Sequence, residues 1–456
     1  MTTIVACASG TNGAVSIIRI SGPKAKQLLA KCFISKRECT TEVMRYGEFC
    51  FGKVKDLGMA VFFKGPRSYT GEDIAELYLH GGIGIVEGAI RFLIKEGANA
   101  AKAGEFSKRA YLNGKIDLSK AEGIVSMISS RTENEAKAAY SLLSGGLKLK
   151  TEELQAELRH ALAEANAAID YPEEDLEVET KAGLKSMVEN IYEKVRKIKD
   201  SYCCGRLIKD GINVAITGAV NVGKSRLLNS LVKREAAIVD DTPGTTRDVI
   251  KDFYEYKGQR FNVSDTAGIR ETDDKIEMKG IERAEEAVKK SDIILAVYEH
   301  GGVLCDKTEE MLLKCSDVKK LIVVENKTDL NIKKRLNEKN KHGKICNYYK
   351  SGKEEVVKIS ALNNTNIDEL KEVIYIKAGT AIDNEDDIIL TEQRHFEAFA
   401  RAELSLLNIK ENIDNEDMDL ILADLSSAYF SLGEITGING TESIVDEIFN
   451  KFCVGK

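Results

Sequence analysis

The sequence predicts a multidomain chain: an α+β N-terminal domain, an all-α helical domain, and an α/β P-loop module inserted between the two halves of the helical domain. Three observations predict it. Short β-rich runs, Ile17-Ile18-Arg19-Ile20 and Met59-Ala60-Val61-Phe62-Phe63, alternate with amphipathic stretches through about residue 116. Apolar residues then recur at helical spacing, both before and after a central module. Within that module Gly218-Ala219-Val220-Asn221-Val222-Gly223-Lys224-Ser225 fits G-x-x-x-x-G-K-[ST], a loop whose backbone N–H groups cradle phosphates.

Each element follows from its residues. The helical stripes are Leu154, Leu158, Leu162, Ala165 and Ile169, then Leu184, Val188, Ile191, Val195 and Ile198. Pro172 with Glu173-Glu174-Asp175 breaks between them. Helical periodicity resumes at Phe399, Ala402, Leu406, Ile409 and Ile413. The expected divisions are 1–116, 117–212, 213–376 and 377–456, the second and last forming one helical domain. Two independent helical domains are the alternative.

Composition narrows the function. The chain of 456 residues is 43% hydrophobic and 30% charged, which suits a soluble globular protein. It contains no apolar run near the about 20 residues of a membrane span and no opening signal segment. A net charge of −7 argues against non-specific nucleic-acid binding, though a local basic patch stays open. Ten Cys without C-x-x-C read as mostly reduced core thiols of a cytoplasmic protein, with Cys203-Cys204 poorly placed for a mutual bridge.

The module carries four nucleotide motifs. A strand-like run, Asn213-Val214-Ala215-Ile216-Thr217, precedes the phosphate loop, and Arg226-Leu227-Leu228-Asn229-Ser230-Leu231 continues it as a helix. Lys224 is expected to reach the β- and γ-phosphates and Ser225 to ligate Mg²⁺. Asp265-Thr266-Ala267-Gly268 ends the run Phe261-Asn262-Val263-Ser264; its aspartate suits water-mediated Mg²⁺ binding and the Gly268 N–H suits sensing the γ-phosphate. Asn326-Lys327-Thr328-Asp329 follows Leu321-Ile322-Val323-Val324. A buried Asp329 would accept from guanine N1–H and its amine, a donor pair adenine lacks. Ser360-Ala361-Leu362 follows Val356-Val357-Lys358-Ile359 and suits guanine O6. Together these predict a Ras-like α/β P-loop GTPase domain that binds GTP.

Gly244-Thr245-Thr246-Arg247-Asp248 is the expected first switch, with Thr246 as second Mg²⁺ ligand. Ile269 stands where Ras-like switches place a water-orienting glutamine, so the catalytic group must come from elsewhere. Glu282, in Gly280-Ile281-Glu282-Arg283-Ala284, reads from the residues alone as a solvated helix-face glutamate.

The chain resembles the MnmE (TrmE) family, the GTPases of tRNA wobble-uridine 5-carboxymethylaminomethyl modification. The resemblance rests on Ile17-Ile18-Arg19-Ile20-Ser21-Gly22, Ser68-Tyr69-Thr70-Gly71-Glu72-Asp73, His80-Gly81-Gly82, Gly104-Glu105-Phe106-Ser107, Leu112-Asn113-Gly114-Lys115, Asp170-Tyr171-Pro172-Glu173-Glu174-Asp175 and the terminal Phe452-Cys453-Val454-Gly455-Lys456. It covers essentially the whole chain.

The resemblance implies a mechanism. K⁺ takes the place of an arginine finger, held by the Asn221 side chain and oxygens of Asp240, Thr242 and Thr245. Its GTP-binding positions are Asn221, Val222, Gly223, Lys224, Ser225, Arg226, then Asp240, Asp241, Thr242, Pro243, Gly244, Thr245 and Thr246. They continue with Asp265, Thr266, Ala267 and Gly268, then Asn326, Lys327, Asp329, Ser360 and Ala361. Asp240 stands where Thr or Ser is common, and only its carbonyl is expected to serve. The family's catalytic glutamate falls on Glu282, acting when two GTPase domains dimerise.

The resemblance further implies that the N-terminal domain binds 5-formyl- or methylene-tetrahydrofolate through Arg19, Glu76, Lys115 and Lys456. From the residues alone these are ordinary surface charges. Cys453 is a redox or one-carbon candidate, or a buried structural thiol. The implied partners are tRNA, a second copy through the N-terminal domain, and the flavoprotein MnmG, which carries FAD and completes a heterotetramer. A regulatory GTPase switch without one-carbon chemistry is the competing function.

Overall fold

The structure is a computed structural model that describes all residues except 1, 11–12, 38, 171–173, 233–251, 266–285, 303, 305–308, 311, 313–320, 331–355, 380–387, 416, 438–441 and 456. The N-terminal part runs β1 (Ile4–Cys7), β2 (Val15–Ser21), α1 (Ala25–Cys32), β3 (Phe33–Ile34), β4 (Arg45–Phe51), β5 (Val54–Phe63), β6 (Ile74–His80), α2 (Ile83–Lys95), β7 (Asn99–Ala100) and α3 (Glu105–Leu112). Its strands form one sheet in the order β3-β4-β5-β6-β2-β1-β7, with only the β1–β7 pair parallel. Strand period 2 divides the faces. Ile18, Ile20, Phe49, Leu77 and Leu79 pack against Leu28, Leu29 and Leu93 of α1 and α2. Ile17 and Arg19 look the other way, where Phe106 of α3 meets Ile4 and Ala6.

The helical part comprises α4 (Leu118–Ser129), α5 (Glu133–Ser144), α6 (Gly146–Asp170), α7 (Glu174–Asp200) and α8 (Tyr202–Asp210). After the central module it resumes with α11 (Gln393–Asn412), α12 (Met418–Thr436) and α13 (Glu442–Asn450). One core draws on both halves: Leu154 and Leu158, Leu184 and Val188, Phe399 and Leu406, Ile421 and Leu425. The alternative of two independent helical domains is therefore wrong. The expected stripe of α6 needs one correction. Its buried positions alternate steps of four and three through Leu154, Leu158, Ala161 and Ala165, with Ala168 packed against them. Counting to Ile169 walks off this face, and Ile169 is 37% exposed.

An ionic cluster fastens the two halves. Arg394 of α11 donates to both oxygens of Glu122 on α4, at 2.9 and 2.8 Å, and to the carbonyls of Glu434 and Ile435 at the end of α12. His395 Nε2 lies 2.8 Å from the same carboxylate and is fully buried. Burial alone pushes the Glu122 carboxyl up, but His395 and Arg394 outweigh it and hold it down at about 2.

The inserted module holds β8 (Ile212–Gly218), α9 (Lys224–Leu231), β9 (Phe253–Tyr256), β10 (Gln259–Asp265), β11 (Ile293–Glu299), β12 (Leu321–Asn326), β13 (Val357–Lys358) and α10 (Ile367–Ala378). Its sheet runs β13-β12-β11-β8-β10-β9, parallel except for β9 at the edge. The central strand β11 is buried along Ile293–Tyr298, the continuous apolar run of a parallel sheet covered on both faces. The run expected over Val356–Ile359 narrows to two strand residues because β13 is a short edge. The start of α5 grips the β9–β10 hairpin. Glu135 lies 3.2 Å from Arg260, Asn134 donates to the Lys257 carbonyl at 3.4 Å, and Arg131 lies 5.6 Å from the Phe253 ring centre.

Candidate active site

The nucleotide motifs meet at the C-terminal edge of the parallel sheet. Gly218 ends β8, and Gly223 caps α9 in the left-handed region. A Cβ at Gly223 would lie 2.5 Å from Asn326 Nδ2, so only glycine allows the loop to close on the guanine strand. Asn326 is the tie between motifs: Nδ2 donates to the Val222 carbonyl at 2.8 Å, and Oδ1 accepts from the Ala361 N–H at 3.0 Å. Ser230 of α9 adds a second tie to the Ala361 carbonyl at 2.9 Å.

The Lys224 ammonium is buried and donates to the Gly218 and Ala219 carbonyls at 3.0 and 2.8 Å. Asn221, Ser225 and Arg226 are exposed around the loop. The start of α9 thus presents backbone donors beside a hydroxyl and a lysine, a donor set that suits a phosphate chain and its Mg²⁺. Asp265 closes β10 one strand away, paired with Ile216 of β8. Ser360 donates its hydroxyl proton to Asp329 and accepts from the Asn363 N–H at 3.2 Å. Asp329 is exposed rather than buried. Its discrimination against adenine therefore requires the bound base itself to shield the carboxylate from water.

The sequence reading missed the support behind this loop. Glu325, next to Asn326, accepts from His300 Nδ1 at 2.8 Å and the Gly301 N–H at 3.3 Å. Burial pushes its carboxyl up, and those hydrogen bonds outweigh burial to leave it lowered. The His300 N–H also donates to the Asn326 carbonyl at 2.8 Å. A charged residue inside an otherwise apolar strand run was the available signal. Asp240, Asp241, Thr242, Pro243, Gly244, Thr245, Thr246, Thr266, Ala267, Gly268, Glu282 and Lys456 lie outside the described residues, as does the side chain of Asp265.

A second site lies on the free face of the N-terminal sheet. Register places Ala6, Arg19, Glu76 and Val61 in one row. Arg19 Nε donates to Glu76 at 2.8 Å, and Tyr78 donates to the other oxygen at 2.9 Å. Burial, then the Glu76 bond and charge, push the Tyr78 phenol up to about 12. The Arg19 guanidinium lies 5.4 and 5.8 Å from the rings of Tyr69 and Phe106. These are half-buried, partnered groups rather than ordinary surface charges. A cavity of about 550 Å³ lined by Tyr69, Ile74 and Glu76 opens beside them.

The Ser68–Asp73 loop is locked below. Glu72 accepts from Arg109 at 3.0 Å and Ser21 at 2.7 Å, Tyr69 pairs with Ser107 at 2.7 Å, and Asn113 donates to the Thr70 carbonyl at 2.7 Å. Lys115 packs its stem near Gly71 but lines a different cavity from Glu76. The C-terminal tail returns to this domain. Val454 bridges Ala103, and Gly455, at φ +103, sits so close that a Cβ would lie 2.0 Å from the Cys7 carbonyl oxygen. Cys7 is the neighbour of Ala6 in the Arg19 row. Cys453 is exposed, which removes the buried-thiol alternative. Among the seven described cysteines only Cys32 is buried, with half-buried Cys39 packed against the same core, so the expectation of mostly core thiols is corrected for the described residues: Cys7, Cys50 and Cys204 are half-buried, and Cys203 and Cys453 are exposed.

A phosphate loop, a strand-end aspartate and a guanine loop tied to it by Asn326, on a parallel sheet set in a helical frame, define a multidomain P-loop GTPase. Residues 118–453 match the MnmE helical domain, and residues 3–115 match the N-terminus of the GTP-binding protein TrmE. The chain is 37% identical over 452 residues to the tRNA modification GTPase MnmE of Natranaerobius thermophilus, covering 97% of each. It is 38% identical over 449 residues to the protein of that name from Aquifex aeolicus, again covering 97% of each. It therefore belongs to the MnmE family of tRNA modification GTPases.

Proposed function

We propose that this chain is a K⁺-activated GTPase that, with a flavoprotein partner, installs a one-carbon-derived aminomethyl-type group on carbon 5 of the wobble uridine of tRNA. In this reading residues 1–116 bind a reduced folate and pair two copies, residues 213–376 bind and hydrolyse GTP, and residues 117–212 with 377–456 join the two. The reduced folate supplies the carbon unit, K⁺ neutralises transition-state charge, and FAD is carried by the partner. The observation that carries the reading is the Arg19–Glu76 pair beside a cavity of about 550 Å³, with the C-terminal tail one residue away in register. A regulatory switch has no use for such a site. A carboxylate and a guanidinium, flanked by the Tyr69 ring, suit the amino-pyrimidine edge and the carboxylate of a folate. Lys115 and Lys456 would add charge for the latter.

At the nucleotide, Lys224 leaves its loop carbonyls for the β- and γ-phosphates, and Ser225 with Thr246 holds Mg²⁺. Asn221, exposed on the loop at φ +66, supplies a side-chain oxygen for K⁺, with Asp240, Thr242 and Thr245 completing the set. Glu282 orients the attacking water through a second one. Pairing of copies has support in the same free sheet face, where Ile34, Tyr46, Leu57 and Met59 are 66, 67, 53 and 43% exposed.

The test is GTP hydrolysis in KCl against NaCl at equal ionic strength, with binding of 5-formyl-tetrahydrofolate measured alongside. Strong K⁺ activation with folate binding is expected. Equal rates and no folate binding would leave the regulatory switch. Glu282→Ala should keep GTP affinity and cut turnover by roughly 10²–10⁴-fold; unchanged turnover removes Glu282 from the chemistry.

A further inference from the structure

Three lysines converge where the N-terminal and helical domains join. Lys115 follows α3, Lys120 stands in the first turn of α4, and Lys148 in the first turn of α6. With Tyr111, Asp117 and Gly437 they line a cavity of about 280 Å³. Lys148 Nζ lies 3.7 Å from Asp117 and 3.8 Å from Glu152, too far for good hydrogen bonds. Lys115 and Lys120 have neither an ion pair nor a hydrogen bond from their ammonium groups among the described residues. Asp117 is already engaged, accepting from the Lys120 N–H at 2.9 Å and from Ser119 at 2.6 Å. The lining thus concentrates three positive charges against one negative, in a chain whose net charge is −7. Holding ammoniums together costs electrostatic energy that an anion between them would recover.

We infer that this pocket grips a backbone phosphate of RNA lying across the domain join, an inference that rests on tRNA being the substrate. The chemistry favours phosphate over a base or nucleoside. Lysines act as point charges that take phosphate without reading sequence. The Tyr111 ring is engaged elsewhere, 6.0 Å from the Phe449 ring centre, with its hydroxyl donating to the Gly437 carbonyl at 3.3 Å. The volume also falls below the roughly 300–1,000 Å³ of pockets that enclose drug-sized ligands. Position gives the site a purpose. The Lys115 stem runs beside Gly71, and the same Ser68–Asp73 loop, through Ser68 and Tyr69, borders the cavity that Glu76 lines. RNA held here lies along the wall of the proposed one-carbon site.

The experiment compares the full-length protein with Lys120→Gln/Lys148→Gln, sparing Lys115 because of its proposed folate role. Binding of unmodified tRNA is titrated across KCl concentrations, with GDP affinity as the folding readout. The pocket requires roughly tenfold weaker tRNA binding at low salt, a log–log salt slope shallower by about 1 for the one phosphate lost, and unchanged GDP affinity. Excess inorganic phosphate should weaken tRNA binding to the wild type more than to the variant. Lys150→Gln/Lys185→Gln makes the same change in net charge at lysines paired with Glu153 and Asp414. An equal slope change in that control, or an unchanged slope in the pocket variant, overturns the site. Wild-type protein that binds no tRNA overturns the substrate reading itself, a different failure from a variant that binds as well as wild type.

Discussion

Replacing Glu122 with glutamine takes the carboxylate out of a cluster where Arg394 and buried His395 both point at it. A carboxyl held at about 2 against an ordinary 4.5 contributes about 3 kcal/mol at neutral pH. Breaking a buried pair by removing one partner costs about 3–5 kcal/mol on independent grounds. Glutamine keeps the shape and one acceptor, so the lower figure is expected. Because Glu122 is on α4 and its partners are on α11, the loss should fall on the fastening of the two halves. Urea unfolding followed by helical circular dichroism reads the total, and hydrogen exchange localises it to α4 and the start of α11. The pH dependence gives the sign. A depressed carboxyl stabilises the fold above its unfolded value of about 4.5, and that stability drains away as pH falls toward about 2. The variant should lack this contribution over that window. A loss under about 1 kcal/mol, or an unaltered acid limb, would refute the argument.

Two further outcomes test the nucleotide site. Asp329→Asn should weaken GTP binding by at least about 100-fold and favour xanthosine triphosphate, because an amide donates where guanine also donates but matches the xanthine oxygen; competition between the two nucleotides reads it directly. Gly223→Ala forces a Cβ to 2.5 Å from Asn326 Nδ2 at a φ of +94. The conformation alone costs about 1–2 kcal/mol, and GDP affinity should fall by roughly tenfold or more as the Asn326 tie to Val222 opens.

What the sequence made legible was local. Strand, loop and helix of the phosphate motif are contiguous, and their chemistry is set by neighbouring residues. The same holds for the guanine motif. Arg19 and Glu76 meet through strand register across 57 positions, and Arg394 reaches Glu122 across 272; no periodicity reports such pairs. The Arg19 site was reached through resemblance, whereas its own residues read as surface charge. The exposure of Asp329 illustrates another limit: a polar residue's burial depends on what packs over it, which a motif does not encode. The stripe on α6 fails at its last step for a geometric reason. A helix turns every 3.6 residues, so after Ala165 the core-facing position is Ala168, three on, and Ile169, four on, has turned away.

The inserted GTPase module and the lysine pocket are connected by a single helix. The start of α5 holds the β9–β10 hairpin through Arg131, Asn134 and Glu135, and β10 ends at Asp265. Its other end is capped by Gly145, where a Cβ would lie 3.3 Å from Lys120 Cε and 3.7 Å from its ammonium. Twelve helical residues span about 18 Å, a rigid strut between the two. The grip at the hairpin is unequal to the grip in the core. Glu135 Oε1 and Arg260 Nε lie 3.2 Å apart without hydrogen-bond alignment, and burial pushes the Glu135 carboxyl up. A buried ion pair without aligned hydrogen bonds recovers little of its desolvation cost. The hairpin end of α5 is therefore the cheaper end to release. A change in β10 on GTP hydrolysis would break that contact before it disturbed the α4–α5 packing, and tilting the strut would move Lys120 against Lys115 and Lys148. If the lysine pocket grips RNA as inferred, such a tilt would carry the nucleotide state to it by displacing one helix, without remodelling the shared helical core.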